Sequence, residues 1–413
     1  MSSESSLERR LGGVDATTIG VGSMVGAGVF VVYPPAAAAA GNWLLLSLAI
    51  AGLVAYCNAS ASAQLAAVYP TSGGTYVYGR ERLGEWPGFL AGWAFVTGKI
   101  ASCAAMALAF GLYVAPAYAT AVAVAAVIVL TGINLLGVTR TAWMTRWFIS
   151  IVAAVLVFVI VVAFSEPPAG SGAGALAVTP YGVLQGAALF FFAFAGYARI
   201  ATMGEEVREP HRLIPLAITA ALAVTFILYF LLGAGLLRFM GPELLATTPT
   251  PLHAVMERVR GGIGTGALAV AAALACLGAL LALIAGVSRT MLAMARERDL
   301  PHALSSVSQR FKVPWLAEVA VAAVVICLLL TQDVLAVVGF SSFAVLIYYA
   351  VTNAAALTLT ERPWHAPKAL NWLGLAGCLI LAFTLPPASV LTMAGVLAVG
   401  VIGRAVFSPS RLR

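Results

Sequence analysis

The chain has 413 residues, of which 62% are hydrophobic by type and only 9% are charged, with a formal net charge of +7. Soluble domains carry about a quarter charged residues, so one or two soluble cores cannot hide this much apolar surface, and lipid must serve as solvent. The positive balance does not point to nucleic acid, because the basic residues sit between apolar runs and form no stripe interleaved with aromatics.

Residues 1–13 form a polar tail that carries Arg9 and Arg10 and lacks the pattern of a cleavable signal peptide. A spanning helix needs about 20 mostly apolar residues, and about twelve such segments follow. They lie at 16–39, 43–67, 88–114, 116–137, 143–165, 181–204, 214–238, 263–294, 315–332, 334–358, 370–386 and 388–407. The predicted class is an all-α polytopic membrane protein, a single transmembrane domain over 1–413. Tight connections at Gly41-Asn42 and Leu385-Pro386-Pro387 join neighbours as hairpins. The five cysteines, Cys57, Cys103, Cys276, Cys327 and Cys378, fall inside apolar runs without metal-ligand spacing and read as small packing residues.

Basic residues orient the chain. With the N-terminus inside, the outer face holds only Arg238, Arg258 and Arg260, and Lys99 and Arg199 fall within spans. Every other one of the 23 Lys and Arg residues then lies on the inner side, a strong positive-inside bias that places both termini in the cytoplasm. A bacterial plasma membrane is the expected location.

Two spans are interrupted near their middles. The first contains Gly22-Ser23-Met24-Val25-Gly26-Ala27-Gly28-Val29-Phe30, and the sixth contains Phe190-Phe191-Phe192-Ala193-Phe194-Ala195-Gly196-Tyr197. They hold matching places in two halves of the chain, 14–165 and 181–358, with 370–407 left over. Paired interruptions of this kind point to a transporter site at the midplane. The competing reading is close packing through small residues, for which Gly22 and Gly26 have the spacing. An unwound first helix can aim free N–H groups at a carboxylate, aided by the half-helix dipole. Unwound carbonyls of the sixth span can accept from an ammonium.

Four separated blocks resemble the amino acid–polyamine–organocation superfamily. They are the Gly22–Phe30 block; Pro70-Thr71-Ser72-Gly73-Gly74-Thr75-Tyr76-Val77-Tyr78 with Gly88-Phe89 and Gly92-Trp93; Gly204-Glu205-Glu206-Val207-Arg208-Glu209-Pro210-His211-Arg212-Leu213-Ile214-Pro215; and Ser288–Pro301 with its Arg296-Glu297-Arg298-Asp299-Leu300 stretch. The resemblance covers nearly the whole chain and is nearest to the bacterial neutral amino acid branch, where exporters and exchangers occur. It implies two inverted five-helix repeats, spans 1–5 and 6–10, plus two further helices and alternating access. It further implies that the backbone of Ser23, Gly26, Ala27 and Gly28 holds the carboxylate, that Ala193, Ala195 and Gly196 hold the amino group, and that Phe192 gates the substrate. Many members carry an acid two positions after the sixth-span glycine. Here that place is Ala198, followed by Arg199, which leaves proton coupling through such an acid in doubt.

Lys99 is the sharpest single residue, since an intramembrane lysine is costly and functional by default. Relatives place a lysine on the fifth span in lieu of sodium; this fifth span has none. Lys99 either supplies that charge from the third span, titrates during the cycle, or binds carbonyls structurally. Arg199 either lines the inner pathway or pairs with Glu205 or Glu206. The Ala-rich middle of the eighth span, Ala271 to Ala285, offers few oxygen ligands and argues against sodium. No Asp or Glu sits in mid-membrane, which favours a neutral apolar L-amino acid moved by proton coupling or exchange. No cofactor or metal is expected, and the partners are the amino acid and the bilayer, without nucleic acid. An enzyme is disfavoured, because all four histidines lie outside the spans and no nucleophile–base spacing is present. The alternatives are a polyamine or nucleobase permease on the same scaffold, or a membrane sensor.

Overall fold

Inside lipid no water is available to backbone N–H and C=O groups, so a chain of this composition must satisfy them within helices. The computed structural model describes residues 11–69, 74–137, 142–169, 178–201, 207–259, 262–331, 334–360 and 367–407. Within them every predicted span falls on helix. The first span is Gly13–Met24, Gly28–Val31 and Tyr33–Ala40, and the second is Leu44–Val68. The third is Glu85–Val114, the fourth Ala119–Leu135 and the fifth Ala142–Ser165. The sixth is Pro180–Phe194, a 3-10 turn at Ala195–Tyr197, and Ala198–Ala201. The seventh is Pro210–Thr247, the eighth Ile263–Arg296, the ninth Trp315–Thr331, the tenth Val334–Leu357, the eleventh Lys368–Thr384 and the twelfth Pro387–Phe407. Among the described residues nine helical stretches are long and apolar enough to cross a membrane; the ninth and eleventh spans are shorter apolar helices, and the sixth is interrupted.

Burial sorts these helices. The apolar window of the tenth span is 83% buried and that of the third 72%, against 22% for the twelfth. The third and tenth are therefore interior and pack on each other, while the twelfth turns Leu391, Val399 and Ile402 outward. Packing partners recur in pairs. The second span packs on the sixth as the seventh packs on the first, and the third on the tenth as the eighth on the fifth.

Two connections carry structure that hydropathy does not show. Gly74–Leu83 is a short helix leading into the third span, and Pro251–Met256 is a single turn and a half before the eighth. The former brings Tyr76 and Arg80 to Asp299, just past the eighth span. The Tyr76 hydroxyl donates to Asp299 Oδ2 at 2.7 Å and Arg80 Nη1 at 2.9 Å. Arg404, on the last helix, reaches Asp299 Oδ1 with Nε at 2.9 Å and Glu85 Oε2 with Nη2 at 3.2 Å. Its guanidinium stacks 4.5 Å over Trp86 and 5.0 Å over Phe89. Burial and the Asp299 hydrogen bond push the Tyr76 phenol well above its usual range, so it stays a donor. Two of the four motif blocks thus meet at one buried carboxylate. Nearby, Trp93 donates to the Val396 carbonyl at 2.8 Å, an approach that only a glycine at position 400 allows.

The entering chain is pinned as well. Asp15 pairs with Arg146 at the start of the fifth span. Leu11 forms an isolated bridge with Val207, and the Arg208 N–H donates to the Leu11 carbonyl at 2.9 Å.

Removing one partner of a buried ion pair costs about 3–5 kcal/mol, because the remaining charge keeps its desolvation and loses its compensation. Arg404→Met should therefore lower the melting temperature of detergent-purified protein, followed by size-exclusion chromatography after heating. Arg404→Lys should fall between the two. A melting curve that does not move in Arg404→Met would contradict this account.

Candidate functional site

The first-span break is built from one turn. The Val25 N–H closes the first half-helix on the Val21 carbonyl at 2.7 Å. Val25 then takes φ −77° and ψ 56°, and the Gly26 N–H bonds the Met24 carbonyl at 2.8 Å. That is an inverse γ-turn, and it redirects the chain without a positive φ. The helix restarts at Gly28, and among the described residues the N–H groups of Ala27, Gly28 and Val29 find no backbone acceptor. Ser23 does not supply its hydroxyl to the break. Its Oγ donates back to the Ile19 carbonyl at 2.8 Å.

In the sixth span the helix gives way after Phe194 to a 3-10 turn, which opens the Ala195 carbonyl. Lys99 Nζ donates to that oxygen at 3.2 Å, and the Tyr349 hydroxyl lies 3.5 Å from it. Lys99 is only 7% exposed, so this carbonyl is its solvent in place of water. The Met24 carbonyl is capped likewise by the Tyr229 hydroxyl at 2.8 Å, and the same oxygen lies 3.5 Å from the Ala193 carbonyl. Tyr113 donates to the Phe30 carbonyl at 3.0 Å, and Tyr33 to the Tyr229 carbonyl at 2.9 Å.

The two breaks touch backbone to backbone. A Cβ at Gly28 would stand 2.6 Å from both Cα and Cβ of Ala193, and a Cβ at Gly196 would collide with the Ser23 carbonyl and Met24 nitrogen. Each interrupted helix therefore requires a glycine because of the other. Gly26 is different. A Cβ there would meet Ala279 Cβ at 3.3 Å and Met106 Cε at 3.5 Å, the apolar faces of the eighth and third spans.

The structure thus brings together most of the residues singled out by sequence. Ser23, Gly26, Ala27 and Gly28 lie beside Ala193, Ala195 and Gly196, with Lys99 bonded to the sixth-span turn. Phe192 is 8% exposed, in the last turn before the break. Arg199 is exposed on Ala198–Ala201, and Glu205 and Glu206 lie outside the described residues. Sequence reasoning does not single out Tyr229, Tyr349 or Tyr113. Their only signal is a phenol placed in mid-span, where lipid gives its hydroxyl no partner and an opened carbonyl does. Among the described residues no His, Cys, Asp and Glu cluster could hold a metal ion.

The family model described as amino acid permease matches residues 11–404. An uncharacterized transporter of Mycobacterium tuberculosis is 53% identical over 397 residues, covering 96% of this chain and 90% of that protein. The branched-chain amino acid permease BcaP of Bacillus subtilis is 27% identical over 349 residues, 76% of this chain and 73% of that protein. The cationic amino acid transporter 7, chloroplastic, of Arabidopsis thaliana is 27% identical over 419 residues, 92% of this chain and 70% of that protein.

Two outcomes follow from the contacts. Gly28→Ala should abolish recovery of monodisperse protein or its transport, whereas Gly26→Ala should remain folded, since Ala279 and Met106 need shift by only tenths of an ångström. Equal behaviour of the two variants in size-exclusion chromatography and transport would refute the reciprocal packing. Tyr229→Phe removes one of two donors on the Met24 carbonyl, which keeps the Gly26 N–H, and should cost about 0.5–1.5 kcal/mol of stability. A detergent melting temperature equal to that of the unchanged protein would count against it.

Proposed function

Because this chain belongs to the amino acid permease family, we propose that it carries neutral, apolar L-amino acids across a bacterial plasma membrane by secondary active, alternating-access transport. The observation that supports this reading is the crossing of two interrupted helices, one offering N–H groups without backbone acceptors and the other an opened carbonyl turn. The Ala27, Gly28 and Val29 N–H groups, at the start of a half-helix, suit a carboxylate. Carbonyls at Ala193 and Ala195, beside Gly196, suit an ammonium. Phe192 and Met106 supply apolar surface for a side chain.

A neutral substrate fits the charges better than a cationic one. The one ammonium at the described site is Lys99, and no described carboxylate pairs with it. A second net positive charge would enter against it without compensation. The name of the relative BcaP, a branched-chain amino acid permease, points the same way. The sparse polar side chains in the eighth-span middle support sodium-independent transport, with Lys99 in place of the ion. The paired packing of second on sixth and seventh on first is what two inverted five-helix repeats would produce, with the eleventh and twelfth spans added. The distribution of basic residues supports cytoplasmic termini. Arg199, and Glu205 with it, belong to the inner end of this pathway in the same reading.

One relative favours a second reading. The methylthioribose transporter of Bacillus subtilis is 27% identical over 350 residues, 78% of this chain and 76% of that protein. A solute without a zwitterion would then occupy the same break. Proteoliposome uptake separates the two. Labelled leucine, valine or alanine should enter or exchange equally in sodium and choline buffers. Free amino acids should compete, while their methyl esters and N-acetyl derivatives should not. Competition by the esters as strong as by the free acids, or a steep sodium dependence, would sink the proposal.

A further inference from the structure

The carbonyl best placed to receive a substrate ammonium already holds one. Lys99 Nζ donates to the Ala195 oxygen at 3.2 Å, and the Tyr349 hydroxyl approaches the same oxygen to 3.5 Å. A carbonyl oxygen has two lone pairs, and Lys99 occupies one of them. Lys99 is buried on the third span, and the flanking Gly98 is packed against Ala344 of the tenth. A substrate ammonium arriving at Ala195 would stand within about 4 Å of Nζ, two like charges in a site without bulk water.

We propose that Lys99 stands in for the substrate's ammonium when the site is empty, and that binding of a zwitterion expels the Lys99 proton, so that substrate and proton cross in opposite directions. The inference rests on the amino acid reading given above. In the step, one N–H bond of the ammonium breaks and its electron pair stays on Nζ. The proton passes to water on the side to which the site is open. The neutral amine, now an acceptor, takes a hydrogen bond from the incoming ammonium, which bonds Ala195 in its place. Release of substrate on the opposite side lets Nζ recover a proton from that side. The loaded form thus crosses with Lys99 neutral and the empty form returns with it charged. One proton is exchanged per substrate, and an inward proton gradient drives export.

The titratable groups around Lys99 do not offer another partner for this proton. Cys103 lies one turn along its own helix, and Tyr349 stacks on Tyr197 of the sixth-span turn. The eighth span brings Cys276, and the ninth carries Glu318 in its first turn, beside Ser288 and Arg289. The fourth span has no titratable side chain. Among the described residues Lys99 is the ammonium bonded to the sixth-span break.

The test is calorimetric titration of the full-length protein in detergent with L-leucine, L-valine and L-alanine, in phosphate and in Tris buffer. The difference in observed heat gives the protons released per substrate bound, expected to be about one below the free-amine range. Affinity should rise by up to roughly tenfold per pH unit between about pH 6 and about pH 8. Lys99→Ala should bind without release, and Lys99→Arg, which cannot shed its proton, should bind at least about tenfold more weakly. In the unchanged protein 4-methylpentanoate, which keeps the carboxylate and lacks the ammonium, should release none. Binding of leucine with no release and a flat pH profile overturns the proposal alone, as does equal release with 4-methylpentanoate. Failure of all three amino acids to bind overturns the reading beneath it, and the proposal with it.

Discussion

A peptide carbonyl opened inside a bilayer must find a donor from the protein itself, and much of this molecule is arranged around that requirement. Interrupting a helix at Val25–Ala27 and again at Ala195–Tyr197 releases backbone groups at a depth where water cannot serve them. Donors come from three other helices: Tyr229 on the seventh span for Met24, Lys99 on the third and Tyr349 on the tenth for Ala195. The third and tenth spans therefore have to be central, and their deep burial follows from what they deliver as much as from their apolar composition. A helix that serves neither break, such as the twelfth, is left at the lipid boundary.

The breaks also fix how closely the two helices approach. Glycine at 28 faces Ala193, and glycine at 196 faces the Ser23 carbonyl, so the contact is backbone on backbone in both directions. Such a joint has few side chains to interlock and few hydrogen bonds along its own axis, which makes it the cheapest place for either helix to bend. Polar contacts elsewhere hold the frame. The Asn353 amide donates to Asn58 at 2.6 Å between the tenth and second spans, and Ser102 and Ser341 share a 2.7 Å hydrogen bond between the third and tenth.

The helices and their interruptions are legible in the chain because each depends on residues adjacent in sequence. An apolar run of sufficient length, or a Gly-Ala-Gly within one, announces itself locally. Partners across the fold do not. Gly28 reads as room for a ligand, yet it is Ala193 that excludes a side chain there. Tyr229 reads as one more aromatic in an apolar run, and only its distance to the Met24 oxygen gives it a task. The Gly74–Leu83 helix has too weak a pattern to be seen, since it is held by polar contacts such as Tyr76 on Asp299, from the far side of the chain. Lys99 is the exception, a distant contact foreshadowed by the mere cost of its charge.

The Arg404 cluster has a consequence for biosynthesis. A membrane protein is delivered to the bilayer from its N-terminus, and Asp299 enters with Tyr76 and Arg80 as its available neighbours. Glu85 likewise waits at the mouth of the third helix. The last turn of the final helix brings the guanidinium that joins them. The first eleven helices can thus be inserted while this end is still unlocked, and the twelfth acts as its fastener. A chain whose twelfth helix has not yet docked is open at this spot, and one in which it has docked is shut.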